Sequence, residues 1–192
     1  METTAPLETT APLWDCRWPD PVALQVSAER ILRDLPMDDP TINRRLPITI
    51  NMEMPIQSPT DTTLLTIKAL MVTPWAVERI FWHHPHTGQP PPIQYAISLT
   101  TDASGYVTPG QGVLLTVDEH RLVPVVIARE PETGHYFVET LLHHTQDYDT
   151  PHAALAAALG EPPPKPPSLS MASTLNRQVS RRNMLGFWRR KQ

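Results

Sequence analysis

Proline placement sets the first limit on what this chain can fold into. Proline has no backbone N–H and a fixed φ, so helix interiors and central strands exclude it. Of 192 residues 23 are proline, against a usual share of about 5%. They gather at the two ends and in a few internal turns, so both ends are expected to be extended. The foldable stretch is then about residues 20–160, long enough to bury a core without disulfides or metals.

Within that stretch the hydrophobic period changes along the chain. Asp20-Pro21 has the composition of a helix start, with an acceptor side chain at the N-cap and a proline at the first helical position. Leu24, Ala28, Ile31, Leu32 and Leu35 follow at helical spacing, and Pro36 ends the run. Alternation then takes over. Ile48, Ile50, Met52 and Met54 share one face of a strand, and residues 63–72 are so apolar that a central strand is expected. Ala76 to Trp82 either continues the sheet or turns over it, and a proline-rich loop from His83 to Pro92 interrupts the pattern. Ile93, Tyr95, Ile97 and Leu99 alternate, and Val113–Val117 follows the Pro109-Gly110-Gln111-Gly112 turn. Residues 121–128 and 136–142 read as two strands joined across Pro131-Glu132-Thr133-Gly134. Pro151 opens a last helix, Ala153–Leu159, stopped by Gly160. The expected fold class is α+β: a mostly antiparallel sheet of about six strands with a helix near each end.

The two ends differ from this body. Glu2-Thr-Thr-Ala-Pro-Leu7 is repeated as Glu8-Thr-Thr-Ala-Pro-Leu13, two copies and too few for a solenoid. Residues 161–167, EPPPKPP, favour a stiff polyproline II spacer. The expected organisation is a disordered leader over 1–18, one α+β domain over 19–161, a proline-rich linker over 162–176 and a basic tail over 177–192. Charge divides along the same line. Residues 1–161 hold all 20 acidic residues and nine basic ones, a net −11, whereas residues 162–192 hold seven basic residues and no acid. An acidic body and a basic tail invite either association with each other or capture of a basic partner.

Little in the chain favours covalent chemistry. No G-x-S-x-G elbow and no phosphate-cradling glycine loop is present, and Gly110-Gln111-Gly112 lacks the lysine such a loop needs. Cys16, the single cysteine, has no base at fixed spacing and cannot form an intrachain disulfide. The histidines fall in a loop (His83, His84, His86) and at a strand end (His143, His144), without the spacing that fixes a metal. No catalytic residue, cofactor or metal is expected. The first residues carry neither a basic nor an apolar leader segment, and no apolar run reaches the roughly 20 residues that span a bilayer. A cytoplasmic protein is expected.

Two segments carry functional information. In Thr73-Pro74-Trp75 the proline puts the tripeptide at a strand end or edge, where Trp75 is either core or an aromatic anchor for a partner. The tail contains Ser180-Arg181-Arg182-Asn183-Met184-Leu185-Gly186 followed by Phe187-Trp188. Such a basic, apolar peptide suits an acidic, apolar-lined groove or an anionic membrane surface. Nucleic acid is disfavoured, because the body is acidic and carries no basic stripe. The segment also matches the twin-arginine export pattern, S-R-R-x-apolar-L, yet only seven residues follow Leu185. It reads as a copy of such a signal.

These landmarks resemble the NiFe-hydrogenase assembly chaperones of the HybE/HupJ type over about residues 20–186. The stretch MVTPWAVERIFWHHP is similar to that family's most recognisable block, and PGQGVLLTVDEHRLVPVVI to its glycine-containing strand pair. GHYFVETLLHH with the helix after it stands where the family has its closing strand and helix, and SRRNMLG is similar to a twin-arginine-like end. Glu78 and Arg79 depart from the family's aliphatic residues after T-P-W. The resemblance implies an α+β, non-enzymatic chaperone for the twin-arginine signal-bearing precursor of a hydrogenase small subunit or another twin-arginine client. Thr73, Pro74, Trp75, Arg181, Arg182 and Leu185 are the expected partner-binding residues. The alternative is a membrane-surface or scaffolding adaptor working through the basic amphipathic tail.

Overall fold

Asp20 opens the first helix in the expected way. Its carboxylate accepts hydrogen bonds from the backbone N–H groups of Val22 at 3.0 Å and Ala23 at 2.9 Å, and Pro21 occupies a position whose N–H would go unused. Helix α1 spans Pro21–Asp34 and stops at Leu35, whose backbone is extended ahead of Pro36. The Arg44 guanidinium caps the end by donating to the carbonyls of Leu32, Leu35 and Pro36 at 2.7–3.1 Å. The structure, a computed structural model, describes residues 11–53, 66–83, 90–94, 98–117 and 121–161. The duplicated leader up to residue 10, Met54, His84, His86, Tyr95, Ile97 and the whole of 162–192 lie outside the described residues. So the tail residues Arg181, Arg182 and Leu185 do as well.

Strands β1 (Thr49–Glu53), β2 (Thr66–Val72), β3 (Val77–His83), β4 (Ile93–Gln94), β5 (Gly112–Val117), β6 (Arg121–Glu130) and β7 (Gly134–Leu142) precede helix α2 (Pro151–Ala158). They form one antiparallel sheet in the order β1-β2-β3-β7-β6-β5-β4. The fold is α+β, as the sequence patterning implies. Two meanders, β1–β3 and β4–β7, are joined by the pairing of β3 with β7, so β7 is the middle strand. The apolar stretch expected to be central, β2, is second from the edge. It is apolar on both sides because helices from opposite faces reach it.

Strand alternation divides the core between those two faces. On the front, Ile67, Ala69, Met71, Ile80, Trp82 and Tyr136 pack with Leu24 of α1. On the back, Val72 and Val77 pack with Leu46 and with Ala154 of α2. The rest of the back is the largest cluster: Phe81, Val113, Leu115, Val117, Val123, Val125, Ile127 and Phe137, closed by Val107 with Trp14 and Leu99 against it.

Packing begins earlier in the chain than helix patterning suggests, and residues 11–18 correct the expected leader boundary. Leu13 bridges to Tyr106 and Cys16 bridges to Gly134. The Asp15 N–H donates to Nδ1 of the buried His135 at 2.8 Å, while Nε2 of the same ring donates to the Val107 carbonyl at 2.8 Å. Trp14 lies edge-on to that ring, 5.2 Å between centroids. Gly134 has φ +67°, and a Cβ there would collide with the Asp15 carbonyl, so the close crossing requires glycine. Desolvation holds the His135 imidazole below its usual pKa. Cys16 is partly buried, and burial, with the Asp15 carboxylate beside it, raises the thiol.

Candidate functional site

The Thr73-Pro74-Trp75 tripeptide is the tight turn between β2 and β3. The Thr73 hydroxyl accepts from the Ala76 N–H at 3.0 Å and donates to the Ala76 carbonyl at 3.0 Å. Its backbone N–H donates to that carbonyl at 2.9 Å. Pro74 is buried, and its carbonyl accepts from the Asn43 N–H at 2.8 Å and the Thr145 hydroxyl at 2.6 Å. Asn43 in turn donates to the carbonyls of Thr145 and Tyr148. Thr73 and Pro74 therefore tie three loops together and present no side chain to a partner. Trp75 is half-buried and lines a cleft between α1 and the front of the sheet.

That cleft, about 180 Å³, is walled by Leu24, Ser27, Ala28 and Ile31 of α1, with Met71, Ile80, Tyr136 and Val138 from the sheet, and it contains Glu78. Among the described residues Glu78 has no hydrogen bond or ion pair. Desolvation alone pushes its carboxyl up to about 7. A β-bulge between β3 and β7 falls at Val77/Glu78, the kind of irregularity that re-aims a side chain. Arg79 points to the other face and is engaged by Glu139 at 2.7 Å. Burial, then Glu130 and Glu78, raise the Tyr136 phenol, so it stays neutral.

Val138 is shared between this cleft and a larger, shallower hollow of about 750 Å³ on the same front face. Its floor is Gly112, Leu114, Pro124, Val126 and Val138, and Gln94, Thr140 and His143 stand at its edges. Leu114, Leu122 and Val126 are 40%, 44% and 47% exposed. A contiguous apolar surface of this kind on a sheet is unusual for a surface with no partner. The sequence reasoning missed Glu78, Leu114 and Val126 as site residues. The available signals were an isolated acid in an apolar strand and two strands, β5 and β6, apolar on both faces.

Cleft and hollow together offer apolar area, aromatic walls and one carboxylate, with Ser27, whose hydroxyl accepts from Arg30, and Gln94, Thr140 and His143 at the edges. Nothing in that set is a nucleophile paired with a base. Among the described residues no group of three or more His, Cys, Asp or Glu is placed to hold a metal. Nor is any described helix long and apolar enough to cross a membrane. No family model, curated protein or solved structure matches the chain.

Proposed function

We propose that this chain is a non-enzymatic assembly chaperone. In this reading it acts in the cytoplasm and holds the twin-arginine signal-bearing precursor of a NiFe-hydrogenase small subunit, or a similar twin-arginine client. The observation that supports the reading is the front surface: an aromatic-walled cleft with a carboxylate, beside an apolar sheet face with which it shares Val138 as a wall. A peptide in which arginines precede apolar residues complements both parts, because guanidinium groups seek carboxylates and the apolar residues seek the sheet. The net −11 of residues 1–161 favours encounter with such a basic peptide.

Co-purification tests it. A hydrogenase small-subunit precursor with its signal should be retained on the immobilised chain, and the same subunit without the signal should wash through. Equal retention of both, or of neither, would remove the signal peptide as the recognised element.

A further inference from the structure

Glu78 is a poor choice for a solvent-facing strand position and a costly one for a core. A carboxylate in an apolar cleft loses hydration, and it is retained in its charged form only if a cation replaces the water. Among the described residues, the nearest charged groups on the elements packed around it are committed or face elsewhere. On α1, Arg30 reaches Ser27 at the cleft wall but pairs with Glu130 at 3.1 Å. On β2, Lys68 alternates to the back face, and on β3 Arg79 is held there by Glu139. On β1, Ile50 and Met52 belong to the front, which leaves Glu53 on the opposite side. On β7, Tyr136 and Thr140 share Glu78's face, and His143 lies further along at the edge of the hollow.

We propose that Glu78 receives the guanidinium of an arginine from a bound peptide, whose apolar residues lie across Leu114, Pro124 and Val126, and that the carboxyl releases its proton to water as the pair forms. The proposal rests on the reading of the chain as a peptide-holding chaperone, and it names the recognition chemistry of that site. Arginine fits better than lysine for a reason visible in the walls. Trp75 and Tyr136 line the same cleft, and a planar, weakly hydrated guanidinium stacks on aromatic faces while donating two parallel bonds to a carboxylate. An ammonium is a compact, strongly hydrated charge that neither stacks on those rings as a plane nor donates two parallel bonds to one carboxylate. The cleft takes one side chain, and the hollow beside it has the area for the residues that follow.

The proton has a measurable consequence. Glu78 is largely protonated in the empty cleft below about pH 7, and burial is the cause. Forming an ion pair then requires deprotonation, so binding tightens about tenfold between pH 6 and pH 8. His143 stands at the edge of the hollow, which makes a Glu78 substitution the necessary control.

The experiment is fluorescence anisotropy with the full chain and a labelled synthetic peptide, SRRNMLGFW, the sequence of residues 180–188. Parent, Glu78→Gln and Glu78→Met are titrated at pH 6 and pH 8, with thermal melts recorded alongside. A second peptide has both arginines replaced by alanine. At pH 8 both variants should bind at least about tenfold more weakly than the parent, as expected for a lost charge-assisted pair. Their affinity should no longer change with pH, and removing the peptide arginines should cost them much less than it costs the parent. If Glu78→Gln and Glu78→Met are folded and bind like the parent, Glu78 is not the acceptor, while the chaperone reading stands. A persistent pH dependence in both variants assigns the proton to another group and overturns the proton release from Glu78. If the parent does not bind the peptide at low salt, the reading beneath the proposal fails and the proposal with it.

Discussion

On the front of the sheet, β2–β3 and β5–β6 present apolar side chains in the same alternating rows, yet the two halves are treated differently. Over β2 and β3 lies α1, and Ile80 and Trp82 are fully buried. Over β5 and β6 the residues of the same rows, Leu114, Leu122 and Val126, remain 40–47% exposed. Their own back-facing neighbours, Val113, Leu115, Val123, Val125 and Ile127, are only 1–6% exposed. The strands are therefore ordinary core strands on one side only. An apolar row left this exposed contributes less to stability than its buried counterpart, so a further reason for it is sought in association. Glu78 sits on the border between the covered and the uncovered half, which is where a ligand spanning both would meet it.

The largest effect that this contrast predicts is on the covered half. Trp82→Ala removes a fully buried indole that packs under α1 and 6.1 Å from the Tyr136 ring. It should cost roughly 3–5 kcal/mol, the range for large aromatic truncations. Chemical denaturation would measure it, and a loss below about 1 kcal/mol would mean that α1 does not depend on that face.

How much of this was legible beforehand depended on whether the deciding contact was local. Asp20 caps a helix through N–H groups two and three residues away, and the 131–134 hairpin closes within its own neighbourhood, so both could be read directly. Thr73-Pro74-Trp75 read correctly as a strand end for the same reason. The pairing of β3 with β7 joins residues about sixty positions apart, and nothing local to either strand encodes it. So β2, the most apolar strand, looked central, whereas GHYFVETLL, with polar residues at several positions, is the strand that is. Trp14 and Asp15 read as leader because their partner, His135, lies 120 residues away from Asp15. Glu78 registered only as a departure, with Arg79, from the aliphatic residues expected after T-P-W, because its place in the cleft depends on α1 closing over it. That contact is tertiary.

The second prediction, of intermediate size, concerns the border. Glu78 has a folded-state pKa of about 7 against an ordinary value of 4.5. Because the folded state holds the proton more tightly, its contribution is fully present below pH 4.5 and is lost as pH rises through about 7. At neutral pH and above, the unpaired carboxylate therefore lowers stability by roughly 1–3 kcal/mol. Glu78→Gln should match the parent at pH 4 and exceed it in melting temperature at pH 8. Melts across that range check it; a variant less stable than the parent at pH 8 would show that Glu78 is paired when the chain is free. A residue that lowers stability and is nevertheless present in the cleft is consistent with a site held ready for a cation.

The smallest effect on stability belongs to the bare half, and there it carries the most information. Leu114→Ser with Val126→Ser alters two side chains that already meet solvent and sit on the neighbouring strands β5 and β6 in the hollow floor. Little transfer free energy is lost from groups so exposed, and the polar replacements leave no unsatisfied buried atom. The pair should change stability by no more than about 0.5 kcal/mol each, as surface substitutions do. Recognition should behave in the opposite way. If those side chains hold the apolar half of a client peptide, removing them takes away the area that gives the complex its affinity, and capture should fall about tenfold or more. The same variant should keep its arginine dependence, because Glu78 and the cleft under α1 are untouched. Comparing denaturation midpoints with peptide titrations on one preparation separates the two quantities. A variant that melts early would mean that this half of the sheet is covered after all. A variant that keeps both its melt and its affinity would leave the exposed rows without a partner and confine recognition to the cleft.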